Sequence, residues 1–318
     1  MQLYYAPMEG LTSCLYRQVH ARMFPGLDRY YAPFLAPDSL GNCRTRELKE
    51  LLPEHNAGIE LIPQLLCAAP GPFLAAAEQL RDMGYTRVNL NAGCPSGTVV
   101  PKHKGAGMLA DLQALDAFLD QVFSRCPMEV SVKTRLGLES TEEFEAILEV
   151  YNRYPLSELI IHARDRAGMY KSVPDHAAFT HAFQRSRCPV CYNGNLFAPG
   201  DLDAVSRENP GLERFMLGRG LAADPALGRR IRGGDALHLS ELREFLTQLR
   251  ETMLAAGLSE HHCLARLKEL WYYLIALFPD SRRGAKAINK AQKLSDYRQA
   301  VEALLREGSF DPESGFRG

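Results

Sequence analysis

The sequence predicts an α/β chain: a (β/α)8 (TIM) barrel of parallel strands followed by a small C-terminal helical bundle. Three observations carry this reading. Eight strand-like segments alternate with helix-like ones up to about residue 233, and every parallel pair needs a helical crossover. The turn after the first strand is Pro7-Met8-Glu9-Gly10-Leu11-Thr12, without the Gly-x-Gly-x-x-Gly that an open doubly wound sheet would carry there. After Gly234 the strand-like segments stop, and only apolar spacing of three and four residues remains.

The expected strands are Gln2–Ala6, Arg29–Pro33, Ile59–Leu66, Thr86–Asn91, Met128–Thr134, Glu158–Ala163, Pro189–Asn193 and Arg214–Gly218. They are short apolar or alternating runs ended by turn-forming or charged residues. Between them lie amphipathic helix patterns such as FLAAAEQLRDMG, LQALDAFLDQVFSRC, TEEFEAILEVYNRY, PGDLDAVSREN and PALGRRIRG. From Leu239 to about Glu307 the patterns SELREFLTQLRETMLAAG, LARLKELWYYLIALF and AINKAQKLSDYRQAVEALLRE fit an antiparallel bundle. The expected division is a catalytic barrel over residues 1–235, a helical domain over 238–308 and a loose tail over 309–318.

The 318 residues are 46% hydrophobic and 24% charged, as in an ordinary globular protein. Net charge is −1, so a polyanion would have to be held by a local basic face. The start MQLYYAPMEG lacks a basic segment followed by an apolar core, and no run is long enough to span a membrane. Eight scattered cysteines fit reduced thiols. A cytoplasmic monomer without an obligate protein partner is the expectation.

The most informative run is Asn89–Val100, NLNAGCPSGTVV. Gly93 and Pro95 end the preceding strand, which presents Cys94 on a loop at a strand's carboxyl end, with Asn91 three residues upstream. In a barrel, the carboxyl ends of the strands face a common pocket. Pro7 and Met8, Gln64, Asn91 and Cys94, Lys133 and Arg135, His162, Asn193-Gly194-Asn195 and Gly218-Arg219 all fall there. The last two loops occupy the usual barrel phosphate site, and their glycines allow close backbone approach. Such a pocket suits a phosphorylated, electron-rich cofactor. Cys188-Pro-Val-Cys191 stands without a partner pair and reads as two ordinary thiols; His261-His262-Cys263 is equally unsupported as a metal site.

This set resembles the tRNA-dihydrouridine synthase family over nearly the whole chain. Its carriers are APMEG, QLL at Gln64, NLNAGCPSGTVV, SVKTRLG, IHARDRAGMY, YNGNL and FMLGRG, then RLKELWYYL before a basic helix. The resemblance implies an FMN at the barrel mouth, reduced by NADPH. Pro7 and Met8 would line its ring, and Gln64 and Lys133 would contact the isoalloxazine edge. His162, Asn193, Gly218 and Arg219, with Gly194 and Asn195 beside them, would hold the ribityl and phosphate parts. Cys94 would be the proton donor, and Asn91 and Arg135 would contact the substrate.

The implied reaction adds a hydride to C6 and a proton to C5 of a tRNA uridine, giving 5,6-dihydrouridine. No protein side chain supplies a hydride, whereas thiols as a class stay protonated at neutral pH and can act as general acids. The base must leave its stack to reach the mouth, and cations must hold the RNA outside it. Lys102 and Lys104 after the cysteine, and Arg282, Arg283, Lys286 and Lys290 in the helical domain, are the candidates. The alternative is a flavin-dependent dehydrogenase of free pyrimidines, which would need no basic appendage. Three departures from the family pattern are Asn195 in place of an acid, Asp175-His176 in place of Asp-Trp, and Asn209–Phe215 in place of a Gly-Cys-Asp run. They bear on the phosphate contacts and the tRNA subgroup.

Overall fold

The computed structural model describes residues 1–316, and the last two residues of the expected tail lie outside that range. Nine parallel strands run in the order β3-β2-β1-β9-β8-β7-β6-β5-β4. They are β1 (Gln2–Tyr5), β2 (Arg29–Tyr31), β3 (Leu61–Ile62), β4 (Gln64–Leu65), β5 (Arg87–Ala92), β6 (Glu129–Gly137), β7 (Leu159–Asp165), β8 (Val190–Asn193) and β9 (Arg214–Leu217). All eight expected strands are present. The third is split because Pro63 has no N–H to give to the ladder. Its halves β3 and β4 pair with β2 and β5 respectively, which closes the ring.

The helices in chain order are α1 (Cys14–Met23), α2 (Thr45–Lys49), α3 (Pro70–Asp82), α4 (Leu112–Arg125), α5 (Phe144–Tyr151), α6 (His176–Arg185), α7 (Pro199–Glu208), α8 (Arg219–Ala223) and α9 (Leu227–Ile231). The bundle follows as α10 (Leu239–Ala255), α11 (Glu260–Leu274), α12 (Arg282–Lys290) and α13 (Leu294–Glu307).

The period of two along each strand sorts the side chains. Val88, Leu90, Val130, Val132, Leu159 and Ile161 join the apolar layer under the helices. Their neighbours Asn89, Asn91, Ser131, Lys133, Ile160 and His162 take the other face, as alternation requires. A small apolar cluster that includes Tyr4, Tyr31, Ile160, Cys191 and Met216 fills the barrel interior. Below it, buried Glu158 accepts hydrogen bonds from Tyr4 Oη at 3.0 Å and Tyr31 Oη at 2.9 Å, and pairs with Arg214 at 3.2 Å.

Barrel and bundle share one continuous apolar core. Phe245 of α10 packs edge-on against Tyr16, His20 and Phe24 of α1 and the residue that follows it, with ring centroids 5.3 to 6.4 Å apart. The segment expected to be loose is tied down through residue 316. Asp311 N donates to Leu277 O at 2.9 Å, Arg230 Nη1 donates to Pro312 O at 3.1 Å, and Phe310 packs on Phe278. Its Gly, Pro and charged residues lack periodicity because it binds through backbone groups and isolated rings, not along an apolar stripe.

Candidate active site

Residues in or just beyond β1, β2, β4, β5, β6, β7 and β9 line one cavity of about 370 Å³ at the carboxyl end of the barrel. Pro7 and Met8 follow β1, Gln64 opens β4, Asn91 and Cys94 come from β5 and its loop, and Lys133 and Arg135 from β6. His162 comes from β7 and Arg219 from the start of α8. The register explains the convergence: Asn91 stands beside Lys133, Arg135 beside His162, and His162 beside Asn193 on adjacent strands.

The floor is a relay of amides. Asn91 Nδ2 donates to Gln64 Oε1, Gln64 Nε2 to Asn89 Oδ1, and Asn89 Nδ2 to Ser131 Oγ, each at 2.8 Å. Asn91 Oδ1 accepts from the backbone N–H groups of Gly93 at 3.1 Å and Cys94 at 2.9 Å. Asn91 therefore fixes the cysteine loop as well as lining the cavity. Cys94 is half-buried, and its carbonyl accepts from Ala106 N at 3.0 Å. Gly105, at φ +57°, faces it so closely that a Cβ would lie 2.9 Å from that of Cys94. Gly93 does not have a positive φ. Its missing side chain instead makes room for the β6 backbone, since a Cβ would lie 3.2 Å from Thr134 C.

Three cations, Lys133, Arg135 and Arg219, line the cavity, and a fourth, Arg164, is buried behind them. Lys133 Nζ donates to Asn193 Oδ1 at 2.8 Å, and burial with Arg135 nearby pushes its ammonium down to about 8. Arg135 donates to the carbonyls of Gly93, Asp165 and Met169, which ties the cysteine loop to the loop after β7. Arg164 Nη2 and Arg219 Nη2 share one acceptor, Asn195 Oδ1, at 2.9 and 2.8 Å. None of the four makes an ion pair among the described residues. Cationic side chains without a paired carboxylate in a partly dry cleft can hold an anion.

His162 Nε2 lies 3.0 Å from Arg164 Nη1, which can only donate, so this imidazole carries its proton on Nδ1. Burial, with Arg135, Lys133, Arg164 and Arg219 around it, holds its pKa well below the usual range, so the ring is neutral.

Several expected contacts are spent inside the protein. Asn193 is buried; it accepts from Lys133 and donates to Met216 O at 2.8 Å, so it positions the lysine from outside the cavity. Gly194, Asn195 and Gly218 also lie outside the cavity wall. Gly194 is required by its neighbour, since a Cβ would lie 2.2 Å from Tyr192 Oη. Lys102 and Lys104 line an adjoining cavity of about 570 Å³ between barrel and bundle, with Arg44, Arg46 and Arg266. The larger cavity lacks the strand-end chemistry, which makes the smaller one the candidate active site. Arg282, Arg283, Lys286 and Lys290 are exposed on α12 and line neither cavity.

Sequence reasoning missed Tyr170, Tyr272, Tyr273 and Phe316, which also wall the site. Tyr170 covers the guanidinium groups of Arg135 and Arg219 at 5.5 and 5.0 Å. The adjacent Tyr272-Tyr273 pair on an amphipathic helix was a usable signal, because only one of two neighbours can face the helix's own core.

Comparison with known proteins gives consistent matches. The family described as "Dihydrouridine synthase (Dus)" matches residues 4–309. A tRNA-dihydrouridine(16) synthase of Pseudomonas putida is 30% identical over 96% of this chain and 100% of its own. A tRNA-dihydrouridine synthase B of Pseudomonas aeruginosa is 25% identical over 96% of this chain and 93% of its own. Among solved structures, morphinone reductase shares the barrel at a TM-score of 0.52 and 15% identity, covering 74% of this chain and 87% of its own.

Proposed function

Because this chain belongs to the dihydrouridine synthase family, we propose that it reduces the C5–C6 bond of a tRNA uridine with FMN as its resident cofactor and NADPH as reductant. The observation that carries this is the meeting of Cys94 with Lys133, Arg135 and Arg219 in one cavity, with Arg164 buried behind it and none of the four cations ion-paired among the described residues. The residues fit the cofactor. Arg219 provides donors for a phosphate, with Arg164 bonded beside it to the same Asn195 oxygen, and Pro7, Met8 and the Gln64 amide offer a wall for a flat ring. A flavin held there would supply the hydride that uracil C6 receives.

The chain's own residues do the rest. Cys94 Sγ gives its proton to C5, leaving a thiolate that solvent reprotonates. Asn91 Oδ1 accepts from the Cys94 backbone N–H and holds its loop, and Arg135 fastens the loop through the Gly93 carbonyl. Lys133, in the same cavity, would place a positive charge beside the flavin ring and stabilise negative charge there. His162, neutral with its proton on Nδ1, is a fixed donor. Arg44, Arg46, Lys102, Lys104 and Arg266 in the adjoining cavity, and the α12 cations, would take the RNA backbone. Relatives named for position 16 are 30% and 29% identical, which favours that uridine.

The test is to map dihydrouridine in tRNA from a strain lacking this protein, with the purified protein's absorbance measured beside it. Loss of dihydrouridine at position 16 and a bound yellow chromophore are expected. Unchanged dihydrouridine at every position would overturn the reading.

A further inference from the structure

We propose that Phe316 is a positioning residue that holds the Arg219 guanidinium ready for the cofactor's phosphate; the inference rests on the flavin reading above. Arg219 has five N–H donors, and among the described residues one hydrogen bond, to Asn195 Oδ1, engages them. Three aromatic faces hold its plane instead: Tyr170 at 5.0 Å, Phe197 at 5.3 Å and Phe316 at 5.8 Å. Rings restrain a guanidinium while leaving its donors unspent. An arginine fixed before binding loses less rotamer freedom when the anion arrives.

Phe316 can do this because the segment carrying it is anchored at both flanks of the site. Toward the bundle, Asp311 N donates to Leu277 O and Ser314 Oγ to Ala276 O. Toward the barrel, Arg230 donates to Pro312 O and Glu313 while its buried ion pair with Asp224, at 2.7 Å, follows directly on α8. The Phe316 ring then meets Phe197, after β8, at 5.4 Å and Tyr273 of α11 at 5.6 Å. A side chain distant in sequence thus braces the cation at the phosphate end.

The experiment measures binding of FMN and of riboflavin, which lacks the phosphate, to flavin-free protein by fluorescence. Phe316→Ala and Phe316→Leu should each weaken FMN binding about tenfold while changing riboflavin binding by less than about twofold. Phe316→Tyr, which keeps the ring face, should bind both flavins as the parent does. Circular dichroism checks folding, and the leucine variant keeps the apolar volume should alanine loosen the segment. Unchanged FMN affinity in both variants, equal losses for the two flavins, or failure of tyrosine to restore binding would each overturn the proposal. A parent that takes up no FMN would instead overturn the flavin reading itself.

Discussion

In the proposed reaction Cys94 and Lys133, which line the same cavity, have separable roles. Cys94→Ala should leave flavin reduction by NADPH intact and slow tRNA reduction by about 10² to 10⁴, the usual worth of a general acid. Equal losses in the two half-reactions, measured by stopped flow, would make the thiol structural. Lys133 is disfavoured as a cation by burial, and its folded-state pKa of about 8 lies below the unfolded value. Below pH 8 both states hold the proton; from pH 8 to about 10.4 only the unfolded chain does, so stability rises across that window. Denaturant titration of flavin-free protein should show this rise, and Lys133→Met should remove it. The strand-end residues were legible because alternation and strand termini are local properties of the sequence. What each does was less so: Asn91 and Asn193 look like ligand contacts in sequence, yet their partners Gln64 and Lys133 come from other strands.

Among the elements, α12 is the clearest case of charge without a structural partner. Arg282, Arg283, Lys286 and Lys290 are exposed and form no ion pair among the described residues, while Ile288 is buried. Changing the four cations to Glu should weaken tRNA binding and lower the log–log salt slope by about 0.7 to 0.9 per lost phosphate contact. Flavin content should stay constant. Equal tRNA affinity for parent and variant at two salt concentrations would reduce α12 to a solvated face. The loop after β7 shows why some of the site escapes sequence reasoning. Tyr170 reaches the cavity because Arg135 and Arg164 hold the carbonyls of Asp165, Met169 and Ser172. No periodicity marks such a loop.

At the scale of the whole molecule, the barrel was readable from its strand–helix alternation, and the bundle from its helical spacing. The union of the two in one core was not, since the aromatic joint at Phe245 depends on how α1 and α10 meet. His20 sits in that joint: Nε2 donates to Pro225 O at 3.1 Å and Nδ1 accepts from Tyr30 Oη at 2.8 Å. Burial pushes its pKa down to about 3. Between about pH 6.5 and 3 the unfolded chain binds a proton that the folded one refuses, so stability falls by up to about 1.4 kcal/mol per pH unit. Thermal melts from pH 7 to 5 should show a decline that His20→Gln flattens. Parallel slopes in parent and variant would assign the acid sensitivity to other groups.

The interruption at Pro63 gives the barrel a seam. On either side of it two-residue strands hold the wall, whereas β6, two strands away, runs for nine residues. A hooped cask yields first where its staves are shortest, and amide hydrogen exchange reads that order directly. Backbone amides of Leu61–Leu66 should exchange sooner than those of β6 and β7 in flavin-free protein. Gln64 stands on the seam and faces the cavity, so a ring seated against it would act as the missing hoop. Exchange along the seam should therefore slow on flavin binding while β6 hardly changes, and equal slowing everywhere would mean that the wall opens as one piece.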